Sequence, residues 1–204
     1  MVSPNLYEPK PELEIKDGVF KTVIDGLFYL APNFFPDERG FFAELGHTYK
    51  IEDIIGTPFK VAQINHSRST ENVVRGLHAE GWNKLVVVTA GVAFSALVDV
   101  RPDSPTFSKV VTTMMGPDDG GLKGAWFITQ GIANSVCTVK APVDYLYFVD
   151  KLYKDRDLSG DQAISLFDPD LKIDWPTPKE KMIISERDRN SVTLREKFPD
   201  KFKA

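Results

Sequence analysis

Three side chains that can carry positive charge lie within ten residues of one another in the sequence. Residues 75–78 read Arg-Gly-Leu-His, and Lys84 follows at the start of an apolar run. A later apolar run contains Tyr147. A base, a cation and a phenol suit proton abstraction beside a carbonyl group. The base removes a carbon-bound proton, the cation stabilises the enolate oxygen, and the phenol returns a proton from the opposite face.

Each of these side chains also has an ordinary structural interpretation. His78 alone would more often be a structural histidine, and Tyr147 alone would be a sheet residue with its hydroxyl at the rim. Arg75 and Lys84 alone would be solvated surface charges. The residue types by themselves therefore leave proton abstraction as one interpretation among several.

Other chemistries lack the residues that they need. The histidines are His47, His66 and His78, without any His-x-His pair, and residues 78–80 (His-Ala-Glu) resemble only half of a metal-binding pair. This pattern argues against a metal site. The single cysteine, Cys137, excludes an intrachain disulfide and a cysteine-based zinc site. The sequence also lacks a Gly-x-Ser-x-Gly elbow, a P-loop and a Gly-x-Gly-x-x-Gly motif.

Composition and charge narrow the class of protein. The 204 residues suit one domain, and the net charge of −4 argues against nucleic-acid binding. No apolar run approaches the roughly 18 residues of a membrane span. Residues 1–18 are too polar and acidic for a signal peptide. We therefore predict a cytoplasmic protein that acts away from membranes.

Short apolar runs predict the elements that hold these side chains. Residues 84–89 and 92–100 flank Ala90-Gly91, which predicts a β-hairpin. Residues 44–55 predict a helix that stops at Gly56. Further strands are predicted at residues 26–31, 60–65, 106–115, 125–128, 135–139 and 145–149, with polar loops at 66–72 and 167–176. The pattern indicates a mainly β protein, an antiparallel sandwich or barrel with a few short helices.

The same pattern predicts one domain over residues 1–204. Residues 1–18 contain three prolines and predict an extended arm that is either disordered or ordered by contacts with something else. The sheet core is expected over about residues 26–150, with loops and short helices in residues 151–204.

Eight segments carry a resemblance to a known family. In order, they are DERGFFAE (37–44), QINHSRS (63–69), VVRGLH (73–78), KLV (84–86), VDVRPDSPTF (98–107), DYLYFVDKLY (144–153), FDPDLKIDWP (167–176) and SERD (185–188). With this order and spacing, the chain resembles the dTDP-4-dehydrorhamnose 3,5-epimerase family. The resemblance implies a cupin-type jelly roll and an epimerase of a nucleotide-linked 4-keto-6-deoxy sugar that acts at C3, C5 or both through an enolate. It also implies a homodimer whose N-terminal segments cross between subunits, and no metal or other cofactor.

The resemblance also assigns roles by position. It implies that His78 is the catalytic base, that Asp188 is the acid paired with it, and that Tyr147 is the proton donor. It places Lys84 near the sugar C4 oxygen. It implies substrate contacts for Arg39, Glu44, Gln63, Asn65, Arg75, Asn134 and Arg187.

The chain departs from the family in the predicted pocket. Relatives typically have Gly-Phe-Ala-His-Gly-Phe where residues 131–136 read Gly-Ile-Ala-Asn-Ser-Val, so Asn134 replaces a histidine. An amide can hydrogen-bond but cannot become a cation. The segment between His78 and Lys84 is shorter than usual, and Glu80 stands where glutamine is common. Two alternatives follow: an epimerase of a different nucleotide sugar, such as a GDP-4-keto-6-deoxy-heptose, or a non-catalytic cupin that binds a nucleotide sugar.

Overall fold

The computed structural model describes residues 6–155 and 162–203, and its regular structure is mostly antiparallel β-sheet. The helices are α1 (Thr48–Ile55), α2 (Glu186–Arg189) and α3 (Leu194–Lys197), with 3-10 turns at Pro11–Leu13, Tyr153–Asp155, Lys179–Lys181 and Pro199–Phe202. The strands are β1 (Glu14–Lys16), β2 (Val19–Lys21), β3 (Leu27–Leu30), β4 (Asn33–Asp37), β5 (Gly40–Glu44), β6 (Gln63–Ser69), β7 (Val74–Ala79), β8 (Lys84–Asp99), β9 (Val110–Met115), β10 (Ala125–Ile128), β11 (Ile132–Val149) and β12 (Gln162–Ala163). The predicted class, mainly β with a few short helices, is confirmed. No helix in these two ranges is long and apolar enough to cross a membrane.

Two long strands, β8 and β11, belong to both layers of a jelly-roll sandwich. The first part of β8 pairs with β10 and with the end of β11, which in turn pairs with β6. The second part of β8 pairs with β9 and with the start of β11, which pairs with β7. Val86 from one part and Leu97 from the other lie in the same buried cluster, so the two layers face each other across a common core.

The predicted hairpin at Ala90-Gly91 is wrong, because residues 84–99 form one continuous bent strand. Gly91 has a φ of 73°, and a Cβ there would lie 2.3 Å from the carbonyl oxygens of Lys140 and Pro142. Glycine is therefore required by the close approach of β11 at the bend, and not by a chain reversal. The predicted strands 135–139 and 145–149 are likewise two parts of β11, separated by register shifts.

Several predicted boundaries also move. The predicted helix begins only at Thr48 and ends as expected, with Gly56 in the left-handed conformation donating its N–H to the Glu52 carbonyl oxygen. The start of the predicted loop 66–72 instead belongs to β6. The loop at 167–176 is confirmed, since this segment contains only turns and irregular backbone.

Residues 33–44 form a two-stranded sheet apart from the sandwich, which we call the aromatic ribbon. Its strands β4 and β5 pair from Asn33 opposite Glu44 to Asp37 opposite Gly40. The side chains of Phe35, Phe41 and Phe42 are more than half exposed. Such a concentration of exposed aromatic surface is unusual for a monomer and is typical of an interaction site.

The described part of the N-terminal arm is anchored on its own subunit. The Tyr7 N–H donates to the Thr112 carbonyl oxygen of β9 at 2.7 Å, and the Tyr7 ring packs edge-on against Trp126. Residues 14–21 form β1 and β2, and β2 pairs with β3 of the same chain. From residue 6 onward the arm is therefore ordered by contacts with its own subunit, and the crossing of N-terminal segments between subunits stays a prediction. Residues 1–5 lie outside the described residues.

Asp99 organises the turn that follows β8. Its buried carboxylate accepts hydrogen bonds from the Arg101 guanidinium at 2.7–2.8 Å and from the hydroxyls of Ser104 and Thr106. Burial alone would raise the pKa of Asp99, but these donors outweigh it and lower that pKa. The segment after Asp99 is held in this turn, which explains why β9 begins at Val110 and not at the predicted residue 106.

We expect Asp99→Asn to lower the free energy of unfolding by about 2–4 kcal/mol, because it removes a buried, multiply bonded charge. Urea unfolding at neutral pH measures the loss. The pKa is lower in the folded state, so the stability from Asp99 is complete above the ordinary carboxyl pKa and is lost as pH falls through the folded value. The difference between the two proteins should therefore shrink in acid. Asp103→Asn in the same turn is the control, since that side chain is almost fully exposed, and an equal loss there would contradict the role of burial.

Candidate active site

A cavity of about 630 Å³ opens between the two layers of the sandwich. Its walls come from β6, β7, β8 and β11, together with residues 183–188. Its size suits a ligand larger than a single sugar ring. The cavity brings together seven of the predicted site residues: Arg75, His78, Lys84, Asn134, Tyr147, Arg187 and Asp188.

The imidazole of His78 is paired with a buried carboxylate. His78 lies on β7 with about a fifth of its side chain exposed, and its Nε2 is 2.6 Å from Oδ1 of Asp188. Asp188 is held at the start of α2, where its N–H donates to the Ser185 hydroxyl. Burial would raise the pKa of Asp188, but the hydrogen bonds and charge of His78, together with bonds from Ser185 and Gly76, lower it. A carboxylate accepts only, so in the neutral imidazole the ring nitrogen beside it carries the hydrogen and the other ring nitrogen has the lone pair.

Close packing of β7 against β11 places this imidazole. Gly76 has a φ of 128°, and a Cβ there would lie 2.8 Å from the Asn134 carbonyl oxygen and from the Ser135 Cα. Only glycine allows the two backbones to approach so closely. The register of the pair then puts His78 directly beside Asn134.

Lys84 is buried and tethered at the floor of the cavity. Its ammonium donates to the carboxylate of Glu80 and to Oδ1 of Asn134. The Asn134 amide nitrogen donates in turn to the hydroxyl of Tyr145 at 3.0 Å. A lysine has three N–H donors, so two fix its position and the third remains for a ligand.

Two phenols line the cavity from the end of β11. Tyr145 and Tyr147 are two residues apart on one strand, so they share a face, and their ring centroids are 5.8 Å apart. Burial, followed by the charge of Glu80, raises the pKa of Tyr147, although Arg75 opposes this change. Tyr147 belongs to the layer opposite that of His78, so the two residues approach a bound ligand from different sides.

Two arginines add positive charge at the mouth of the cavity. Arg75 and Arg187 are both exposed, and Nε of Arg75 donates to the Ser69 hydroxyl at 3.1 Å. Guanidinium groups at a cavity mouth suit the oxygens of a phosphate group.

Residues 6–155 and 162–203 contain no group of three His, Cys, Asp or Glu side chains placed to hold a metal ion.

The structure places four predicted site residues outside the cavity of their own chain. Arg39 lies at the tip of the aromatic ribbon, largely exposed and paired with Asp37. Glu44 lies at the base of the ribbon, where it accepts from the Asn33 amide. Gln63 and Asn65 lie on β6 beyond the cavity and hydrogen-bond to each other. The Gln63 side-chain oxygen accepts from the Tyr153 N–H at 2.9 Å, which links this pair to a cavity residue.

The cavity also contains residues that were not predicted to form the site, notably Glu80, Trp82, Tyr145 and Tyr153. Strand periodicity could have found two of them. Tyr145 shares a face with Tyr147, and Glu80 is two residues beyond His78. Trp82 and Tyr153 carry no such signal, because they meet only through the tertiary fold, with ring centroids 6.2 Å apart.

Comparisons with known proteins agree on one family. The profile of the dTDP-4-dehydrorhamnose 3,5-epimerase family matches residues 21–196. The chain is 34% identical to dTDP-4-dehydrorhamnose 3,5-epimerase of Escherichia coli K12, over 88% of this chain and 95% of that protein. It is 30% identical to dTDP-4-dehydrorhamnose 3-epimerase of Streptomyces niveus, over 85% and 82%. The crystal structure of the 3,5-epimerase of Legionella pneumophila in complex with dTDP-4-keto-L-rhamnose superposes with a TM-score of 0.77 at 31% identity, over 91% and 98% of the two chains.

Proposed function

Because the chain belongs to the dTDP-4-dehydrorhamnose 3,5-epimerase family of isomerases, we propose that it epimerises a nucleotide-linked 4-keto-6-deoxy sugar. The reaction removes a proton from a carbon next to the C4 carbonyl and returns one to the opposite face. One observation carries the proposal: a carboxylate-paired imidazole and a phenol with a raised pKa face one cavity from opposite layers.

His78 is the base in this proposal. Asp188 accepts the hydrogen of the near ring nitrogen, so the other nitrogen can take a proton from carbon. The imidazolium that forms lies beside a carboxylate whose lowered pKa keeps it ionised. Asp188 thereby orients the ring and stabilises its charged form.

Lys84 stabilises the negative charge that develops on the C4 oxygen. The tether to Glu80 and Asn134 holds the ammonium in place before the substrate arrives. A donor that is already oriented and shielded from water contributes most to an enolate-like transition state.

Tyr147 returns the proton on the face opposite His78. A phenol is protonated at neutral pH, as a proton donor requires, and the raised pKa of Tyr147 extends this state to higher pH. A protein that only bound the sugar would have no need for ionisable groups on both sides of the ring. This consideration favours an epimerase over a non-catalytic nucleotide-sugar-binding cupin.

Arg75 and Arg187 at the mouth suit the diphosphate of a nucleotide sugar. Gln63 and Asn65 extend the same strand face beyond the cavity, and we propose that they contact the nucleotide. Asn134 in place of histidine leaves the nucleotide and sugar open, with a GDP-4-keto-6-deoxy-heptose as the alternative to a dTDP sugar. A cytoplasmic location and the absence of a cofactor stay predictions.

Deuterium wash-in tests the proposed function. The protein is incubated in heavy water with a panel of nucleotide-linked 4-keto-6-deoxy sugars, and proton NMR follows the C3 and C5 signals. We expect loss of one or both signals together with a new epimer. NMR also shows which carbon exchanges, and thus separates 3-epimerase from 3,5-epimerase activity. Binding without exchange for every sugar in the panel would favour the non-catalytic alternative.

We further propose that the protein acts as a homodimer in which the aromatic ribbon completes the partner's site. Arg39 and Glu44 on the ribbon are outside their own cavity, yet the family resemblance assigns both to substrate binding. The exposed Phe35, Phe41 and Phe42 provide apolar area for a subunit contact. A two-fold dimer would place each ribbon at the neighbouring cavity.

Mixing two inactive variants tests this arrangement. We expect Arg39→Ala and His78→Asn each to abolish most activity, because one removes a substrate contact and the other removes the base. If the ribbon completes the partner's site, a dimer of one Arg39→Ala subunit and one His78→Asn subunit has one intact site and one site with both changes. Random exchange of subunits makes about half of the dimers mixed, so about a quarter of all sites should become active. Steady-state rates before and after subunit exchange measure the recovery. Arg68→Ala on β6 is the control for the loss of an exposed, carboxylate-paired arginine and should leave activity unchanged, since Arg68 is exposed and paired with Asp144. Absence of recovery in a proven mixed dimer would refute the shared site.

A further inference from the structure

Lys84 determines the orientation of the Asn134 side-chain amide. An ammonium donates hydrogen bonds and cannot accept them, so it must meet the oxygen end of the amide. Oδ1 of Asn134 accepts from Lys84, and the nitrogen end therefore points to the hydroxyl of Tyr145. The reverse orientation would set N–H groups against the ammonium.

This orientation determines what the Tyr145 hydroxyl can do. The amide nitrogen of Asn134 can only donate, so the Tyr145 oxygen must accept, and it does so at 3.0 Å. The hydroxyl hydrogen is thus left for another partner, and none of the described residues accepts it. Tyr145 is only 4% exposed and lines the cavity. A buried hydroxyl donor without an acceptor costs free energy, which a ligand oxygen in the cavity would recover.

The proton of this hydroxyl is firmly held. Burial, followed by the nearby Glu80 and Tyr147, raises the pKa of Tyr145 well above the ordinary value for a phenol. Tyr145 is therefore a neutral hydrogen-bond donor at neutral pH and stays protonated to higher pH than an ordinary phenol. It differs in this role from Tyr147, which gives up its proton to carbon under the proposed mechanism.

We propose that Tyr145 is a second catalytic donor, which hydrogen-bonds beside Lys84 to the sugar keto oxygen that becomes the enolate oxygen. The proposal rests on the epimerase function proposed above. Lys84 and Tyr145 are bound to the two ends of one amide, so Asn134 holds both donors at the same wall of the cavity. Each has a hydrogen left for a ligand.

Tyr145 is chemically unchanged by the formation and reprotonation of the enolate. The carbon-bound proton moves to His78, and the electron pair of the C–H bond forms the carbon–carbon double bond of the enolate. The carbonyl electron pair moves to oxygen, where the hydrogens of Lys84 and Tyr145 meet it. When Tyr147 returns a proton to carbon the carbonyl re-forms, and Tyr145 has kept its own hydrogen throughout.

The competing interpretation is that Tyr145 only positions Asn134, and a double-mutant cycle separates the two. Tyr145→Phe is made in the wild-type protein and in Asn134→Ala, and the rate of deuterium wash-in is measured for all four proteins. A donor to the enolate oxygen predicts a loss of at least about tenfold in kcat in both backgrounds, with KM nearly unchanged. If Tyr145 acts only through Asn134, the substitution has no effect once Asn134 is absent, and the proposal is overturned.

A second measurement keeps the test sound if a variant folds poorly. Incorporation of 3-fluorotyrosine at position 145 preserves the side-chain shape and makes the phenol a stronger donor but a weaker acceptor. The proposal expects faster wash-in, whereas an unchanged or slower rate contradicts it. Failure of the proposed function is recognised separately: the wild-type protein would then show no exchange with any sugar in the panel. If the wild-type protein is active and Tyr145→Phe leaves the rate of wash-in unchanged, only the donor role of Tyr145 is overturned.

Discussion

Replacement of His78 by asparagine is expected to lower deuterium wash-in at both C3 and C5 by roughly 10²- to 10⁴-fold, the usual contribution of a general base. The physical reason is the paired imidazole. Asp188 holds one ring nitrogen at 2.6 Å, so the other can face the substrate carbon with its lone pair. An asparagine amide can still hydrogen-bond to Asp188 but cannot take a proton from carbon. NMR in heavy water measures the rate, and thermal unfolding confirms that the variant is folded.

His66→Asn is the matched control for this experiment. His66 is also on a strand beside the cavity wall and is also paired with a carboxylate, that of Asp144 at 2.9 Å, but its side chain is more than half exposed outside the cavity. The same chemical change there should leave the rate unchanged. A His78→Asn protein that keeps more than about a tenth of the wild-type rate would assign the base to another residue.

Replacement of Tyr147 by phenylalanine is expected to separate two rates that are linked in the wild-type protein. Proton removal by His78 needs no phenol, so wash-in on that face should persist. Net inversion needs a proton from the opposite layer and should fall by roughly 10²- to 10⁴-fold. The phenylalanine ring retains the packing against Tyr145, so the change removes only the hydroxyl. Epimer formation and wash-in are measured in the same NMR sample.

Tyr49→Phe, on the exposed face of α1, is the control for loss of a phenol elsewhere. The raised pKa of Tyr147 adds a check on pH. Because a raised pKa keeps the phenol protonated beyond its ordinary value, inversion should not decline through loss of this proton until the pH exceeds the usual tyrosine range. Equal losses of wash-in and inversion in Tyr147→Phe would contradict a donor on the opposite face.

The sequence allowed the residues that meet in the cavity to be predicted better than the path of the backbone. His78, Lys84 and Tyr147 lie in short motifs that can be recognised whatever the surrounding fold. Gly91 was misinterpreted because a glycine between apolar runs suits a hairpin turn and a tight strand crossing equally well. Only the position of Lys140 and Pro142, some fifty residues away, decides between them.

The remaining differences have two physical causes. Strand periodicity could place Glu80 and Tyr145 on the faces that line the cavity, but their hydrogen bonds to Lys84 and Asn134 leave no motif in a sequence. Arg39 and Glu44 were predicted to bind substrate, and they lie away from the cavity of their own chain because the ribbon that carries them projects from the sandwich.

The continuity of β8 and β11 also has a consequence for folding kinetics. The two strands are far apart in sequence, so their pairing must close a long loop and is expected to be slow. The register that pairs Tyr147 with Val86 and Val149 with Lys84 is part of this same pairing. Once the two strands have paired along their length, Lys84 and Tyr147 are already on one wall of the cavity. Once tryptophan fluorescence has recovered, the monomer should therefore need no further slow step to assemble its own cavity. Any delay before epimerase activity returns should shorten as the protein concentration rises, because the partner's ribbon completes the site in the proposed dimer.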